Sequence, residues 1–143
     1  MDASLKAIRT NNISAVKRFL DEPQTIPTLH MVIQTAIRRG NIEIVKMILN
    51  SNHLDPSFYD NFLIKEASKG GYAEIVGILL SDLRVDPTVE NNLPIRMAVE
   101  NSHLETVKLL LNDGRVNAGA DNNFSINIAI RYNFTKITLR TKK

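Results

Sequence analysis

Ala36, Ala67, Ala98 and Ala129 stand 31 residues apart. The same interval separates Glu43, Glu74 and Glu105, then Val45, Val76 and Val107, then Leu49, Leu80 and Leu111. Gly40 and Gly71 are followed in register by Ser102, and Asp55-Pro56 by Asp86-Pro87 and a weakened copy, Asn117-Ala118. Upstream, AIRTNNISAVKRFL from Ala7 aligns with AIRRGNIEIVKMIL from Ala36 at an interval of 29, so the first connection is two residues shorter. A fixed period of this length marks a supersecondary unit that cannot bury its apolar face alone. Neighbouring copies must stack and bury it jointly, which makes the chain a solenoid.

Each unit reads as two short helices. In the first, Ile95–Ser102, the small Ala98 permits close packing, and Gly40 and Gly71 suit the left-handed residue that ends a helix. The second, His103–Asp113, carries Leu104, Val107, Leu110 and Leu111 at helical spacing as one apolar stripe. The segment RVDPTVENN then turns the chain: Pro87 fixes its own φ, and Asn91 and Asn92 tolerate turn geometry and can cap the next helix. Asp55 and Asp86 recur in register, which points to turn geometry and not to a carboxylate pair.

These residues carry a resemblance. A helix–turn–helix of about this length with a Glu-x-Val-Lys-x-Leu-Leu core and a Val-Asp/Asn ending resembles the ankyrin repeat, and VENSHLETVKLLLNDGRVNA is the best copy. The shorter period, with segments such as RVDPTVENNLPI, is similar to ankyrin repeats of amoeba-infecting giant viruses and of protists. Where the family writes Thr-Pro-Leu-His, this chain writes MVIQ, FLIK, LPIR and FSIN from Met31, Phe62, Leu93 and Phe124. Only Pro94 and the aliphatic position survive, so Asp60, Asn61, Asn91, Asn92, Asn122 and Asn123 are expected to replace the missing caps. The resemblance implies an all-α ankyrin-repeat solenoid of stacked helix-turn-helix units joined by hairpin-like loops. It forms a single domain over 1–143, with units at about 1–27, 28–59, 60–90, 91–121 and 122–143. The last unit is degenerate or truncated, since its second helix reads KITLRTK from Lys136.

Composition excludes several function classes. The chain has no cysteine, so disulfides, thiolate chemistry and cysteine–zinc sites are ruled out. Its net charge of +3 is mild, and part of it sits in the tail TLRTKK, so nucleic acid is disfavoured as a partner. No apolar run approaches the roughly 20 residues that span a bilayer, and MDASLKAIRTNN lacks a basic-then-apolar export pattern. The expectation is a soluble cytoplasmic protein, in the host cytoplasm if the source is viral, with no membrane partner. The sequons at Asn12, Asn123 and Asn133 then read as chance in an Asn-rich chain.

No catalytic constellation emerges. His30, His53 and His103 fall in different layers, and no nucleophile–base pair, phosphate-cradling loop or metal spacing is present. The expectation is a non-enzyme with no cofactor, no metal and no small-molecule substrate. His103 matches the family's structural histidine at the inter-helix turn. Asn117 matches a position that asparagine hydroxylases modify in many ankyrin repeats, although holding the hairpin accounts for it as well.

By resemblance, binding uses the exposed side of the first helices and the hairpin tips, which together form the concave face. The matching partner-binding residues are Arg9, Arg38, Arg39, Lys69, Glu100, Arg131 and Tyr132 on the helices, and Tyr59, Glu90 and Asn92 at the tips. Three basic layers in a row suit carboxylates on an acidic protein partner. The expected function is a protein–protein interaction module, acting as an adaptor or scaffold. The competing reading is a self-assembling module in which a monomer associates end to end through its exposed C-terminal repeat.

Overall fold

A short helix bearing a buried alanine, followed by a more apolar helix, recurs four times among the described residues of the computed structural model, which are 2–23 and 26–116. The helices are α1 (Asp2–Arg9), α2 (Ile13–Asp21), α3 (Ile26–Arg38), α4 (Ile42–Asn50), α5 (Phe58–Gly70), α6 (Ala73–Leu80), α7 (Val89–Glu100) and α8 (Leu104–Asn112). There is no strand among these residues. The first helices stack as α1, α3, α5, α7 and the second as α2, α4, α6, α8, and each first helix packs on the second helix that follows it. The result is a two-layered helical solenoid with one continuous core running from Ala7 to Val116.

The repeated alanines and glycines have a common cause. Asn11, Gly40, Gly71 and Ser102 all take positive φ, at 52°, 67°, 73° and 59°. In each case the next residue's N–H donates back to an alanine carbonyl: Asn12 to Ala7, Asn41 to Ala36, Tyr72 to Ala67 and His103 to Ala98, at 2.7 to 3.0 Å. This is the Schellman closure, which satisfies orphan carbonyls at the helix end and reverses the chain. Ala36, Ala67 and Ala98 are themselves fully buried.

The second helices bury matching positions: Ile44, Val45 and Ile48 in α4, Ile75, Val76 and Leu79 in α6, and Thr106, Val107 and Leu110 in α8. The stripe read from the sequence is rotated accordingly, because Leu104 is 38% exposed and Leu111 only half-buried.

The connections between units begin with a carboxylate-centred turn. Asp55 Oδ1 accepts from the Ser57 N–H and hydroxyl at 2.9 and 2.6 Å, and Asp86 Oδ1 from those of Thr88 at the same distances. These aspartates therefore shape the backbone, as their register implied. The chain then runs through three consecutive left-handed residues, Tyr59–Asn61 and again Glu90–Asn92. Left-handed backbone costs about 1–2 kcal/mol per non-glycine residue, so it must be held from outside. Arg96 does this for one tip, donating to the Glu90 and Asn91 carbonyls at 2.8 and 2.9 Å. Asn61 does it for the other, its Oδ1 accepting from the Asp86 N–H at 2.8 Å, at the turn where the next connection begins.

The capping roles expected for Asn61 and Asn92 are corrected by this geometry. Asn61 spends its oxygen on the turn at Asp86, and Asn92 Oδ1 is buried without a hydrogen-bond partner. Neither α5 nor α7 has a side-chain cap. Pro94 stands one residue beyond the left-handed run, in the first right-handed turn, where its missing N–H costs nothing.

Candidate functional site

The expected binding residues fall into two groups at opposite ends of the first helices. Arg9, Arg38 and Lys69 lie in the last turns of α1, α3 and α5, and Glu100 ends α7. Arg39 follows α3 directly. All five are exposed. Cations are favoured there because the free carbonyls of a helix C-terminus carry partial negative charge. The carbonyls themselves are taken by the following unit: the Tyr72 hydroxyl donates to Arg38 O at 2.8 Å, and His103 Nε2 lies 2.9 Å from Lys69 O. At the first junction Arg39 Nη2 does the same for Arg9 O at 3.3 Å. Each of these donors ties one unit to the one before it, and apart from Arg39, itself such a donor, the basic side chains stay outside.

Within the row, Arg38 is the most organised. Its Nε meets Glu66 Oε1 at 3.0 Å, and its guanidinium lies 5.4 Å from the centre of the Phe62 ring. An exposed pair of this kind holds the side chain in place and contributes at most about 1 kcal/mol.

The second group sits at the left-handed tips. Tyr59 is 61% exposed and packs edge-on against His30 and Phe58, which stack face to face at 3.7 Å. His30 lies within α3, and burial lowers its pKa. Glu90 is paired with Lys65 at 2.8 Å, and Asn92 is half-buried. From tip to basic row, each first helix offers a strip on the order of 12 Å long. Arg131, Tyr132 and Asn117 lie outside the described residues.

A family model described as ankyrin repeats (three copies) matches residues 33–122. The chain belongs to the ankyrin-repeat family. No curated protein matches it. Ankyrin repeats are generally protein–protein interaction modules and typically not catalytic.

The rest of this ankyrin stack offers structural chemistry. Among the described residues no group of three or more His, Asp or Glu could hold a metal, and no helix is long and apolar enough to cross a membrane. Three ankyrin loops carry carboxylates held below the ordinary aspartate value of 3.8: Asp113 by the Arg115 guanidinium, Asp82 by that of Arg84, and Asp55 by the Ser57 hydroxyl. A depressed folded-state pKa adds stability that is present above the unfolded value and lost as pH falls through the folded one. Chemical denaturation should therefore show stability falling below about pH 4. The destabilisation caused by Arg115→Gln should also shrink there, because protonated Asp113 no longer needs its partner. A constant Arg115→Gln effect from neutral pH down to about pH 3 would refute this.

The sequence reading found the basic row by family register. It missed Tyr72, whose partnership with Arg38 O repeats that of His103 with Lys69 O one unit earlier. The signal was present in the 31-residue spacing of Tyr72 and His103, but a tyrosine and a histidine do not look alike.

Proposed function

We propose that this chain binds another protein that presents carboxylates to the row formed by Arg9, Arg38, Arg39 and Lys69, with Tyr59 and its aromatic neighbours as an anchor at the tip. The observation that carries this reading is the alignment of exposed cations at the C-terminal ends of three successive first helices. Arg38, already held by Glu66 and Phe62, loses little freedom on binding and can fork onto a carboxylate. Exposed tyrosine and arginine on rigid elements are the residue types that dominate interface energetics. Glu100 closes the basic row on α7 and sets its polarity. We further propose that units of about 1–27, 28–59, 60–90, 91–121 and 122–143 make up this module, which has no catalytic role.

The test is affinity capture with the native chain, with Arg38→Glu/Arg39→Glu/Lys69→Glu, and with Tyr59→Ala. A single retained protein should be lost from the triple variant, with binding weakened at least about a hundredfold, and should elute as salt rises. Tyr59→Ala should weaken it about tenfold or more. Equal retention by all three chains would move the binding surface elsewhere. Thermal unfolding confirms that the variants fold.

A further inference from the structure

The seams between successive second helices are not filled alike. At the α6/α8 seam, Arg115 reaches back into the preceding unit. Its Nη1 donates to Val85 O at 2.6 Å and its Nη2 to Leu80 O at 2.9 Å, while Nε and Nη2 fork onto Asp113 at 2.6 and 3.0 Å. Leu80 is the last residue of α6, so this guanidinium satisfies a helix C-terminus.

One repeat earlier, Asp82-Leu83-Arg84 stands where Asp113-Gly114-Arg115 does. Arg84 keeps the carboxylate fork, at 3.0 and 2.7 Å from Asp82. It does not reach the register counterparts of the two carbonyls, Leu49 O in the last turn of α4 and Leu54 O in the loop that follows, and neither accepts a turn or side-chain hydrogen bond among the described residues. A cavity of about 530 Å³ opens beside Leu49 at this seam, lined also by Asn50, Pro56, Ile78, Asp82 and Leu83. The acidic surroundings are otherwise equivalent, with Asp113 and Asp86 near Arg115, and Asp82 and Asp55 near Arg84.

The difference traces to one residue. Gly114 takes a φ of +92°, and a Cβ there would meet nothing within 4 Å, so glycine is needed for the dihedral alone. Leu83 is not among the positive-φ residues, and its side chain is 87% exposed. Its loop therefore runs differently and carries Arg84 outward.

We propose that the α4/α6 seam is an acceptor site for an arginine side chain of a partner protein. The guanidinium occupies the cleft and donates to Leu49 O and Leu54 O, with its stem against Leu49, Ile78 and Leu83. The planar fork of a guanidinium suits two carbonyls and a carboxylate, whereas an ammonium is a point charge that does not. The site lies on the second-helix layer, so it is independent of the basic row.

The experiment is an amide-shift NMR titration of the full chain with Nα-acetyl-arginine amide at constant ionic strength, against Nα-acetyl-lysine amide. Saturable shifts are expected at Asn50–Leu54 and Ser81–Leu83, with millimolar affinity for a single side chain and binding at least about fivefold weaker for lysine. Leu83→Gly should abolish binding, because Arg84 then fills the cleft as Arg115 does. Arg84→Ala should retain or strengthen it, because Asp82 is freed. Equal shifts with lysine, undiminished binding by Leu83→Gly, or loss in Arg84→Ala would overturn the proposal. Shifts at these amides on concentrating the protein alone would overturn it too, since a second copy would then be the occupant.

Discussion

Gly71→Val should lower the unfolding free energy by about 2–5 kcal/mol, read from urea denaturation. Two costs combine. The residue sits at φ +73°, which a β-branched side chain resists. Its new Cβ would also fall 2.3 Å from His103 Nδ1 and 2.6 Å from the ring's Cγ and Cε1. The ring cannot simply move aside, because its Nε2 is engaged with Lys69 O. Gly40→Val is the internal comparison: a Cβ there comes no closer than 3.1 Å, to Tyr72 Cε1, so its cost should be mostly the dihedral. Equal losses at the two glycines would show that the His103 contact does not matter.

A double-mutant cycle separates the terms. In a His103→Ala background the steric cost disappears and Gly71→Val should cost only about 1–2 kcal/mol. The coupling thus measures how tightly one unit's turn ring is laid on the glycine of the unit before.

The helix pairs and their order were legible because the period repeats a physical requirement. Each alanine carbonyl accepts a Schellman bond, each glycine supplies the left-handed residue, and each Asp55- or Asp86-type carboxylate folds its own turn. What was not legible involves residues acting across units or against their own propensity. Tyr59, Asp60 and Glu90 in left-handed conformation run counter to local preference and are sustained by Arg96 and by the Asn61–Asp86 bond, which is 25 residues long in sequence. Reading Asn61 and Asn92 as caps assigned their side chains to the nearest helix, when Asn61 serves the turn at Asp86. The basic row was visible by register. The Arg115 clasp was not, because its effect depends on whether a glycine or a leucine precedes the arginine.

Ile64→Ala should cost about 2–5 kcal/mol, whereas Ile13→Ala, at a residue 37% exposed, should stay within about 0.5 kcal/mol. Ile64 is fully buried, and so are its counterparts one unit either side, Ile33 and Ile95. The three belong to one core, on successive first helices that pack on one another. In a stack held by nearest-neighbour interfaces, a cavity in an interior unit weakens two junctions at once, so the units on either side lose part of their coupling. The transition should therefore become less cooperative as well as earlier, with a smaller denaturant slope than the native chain. Hydrogen exchange should show the loss of protection spreading from α5 into both α3 and α7. An unchanged slope with a uniform loss of protection would mean that the stack unfolds as one indivisible core. Stability in this chain would then be carried by the whole layer and not by successive junctions.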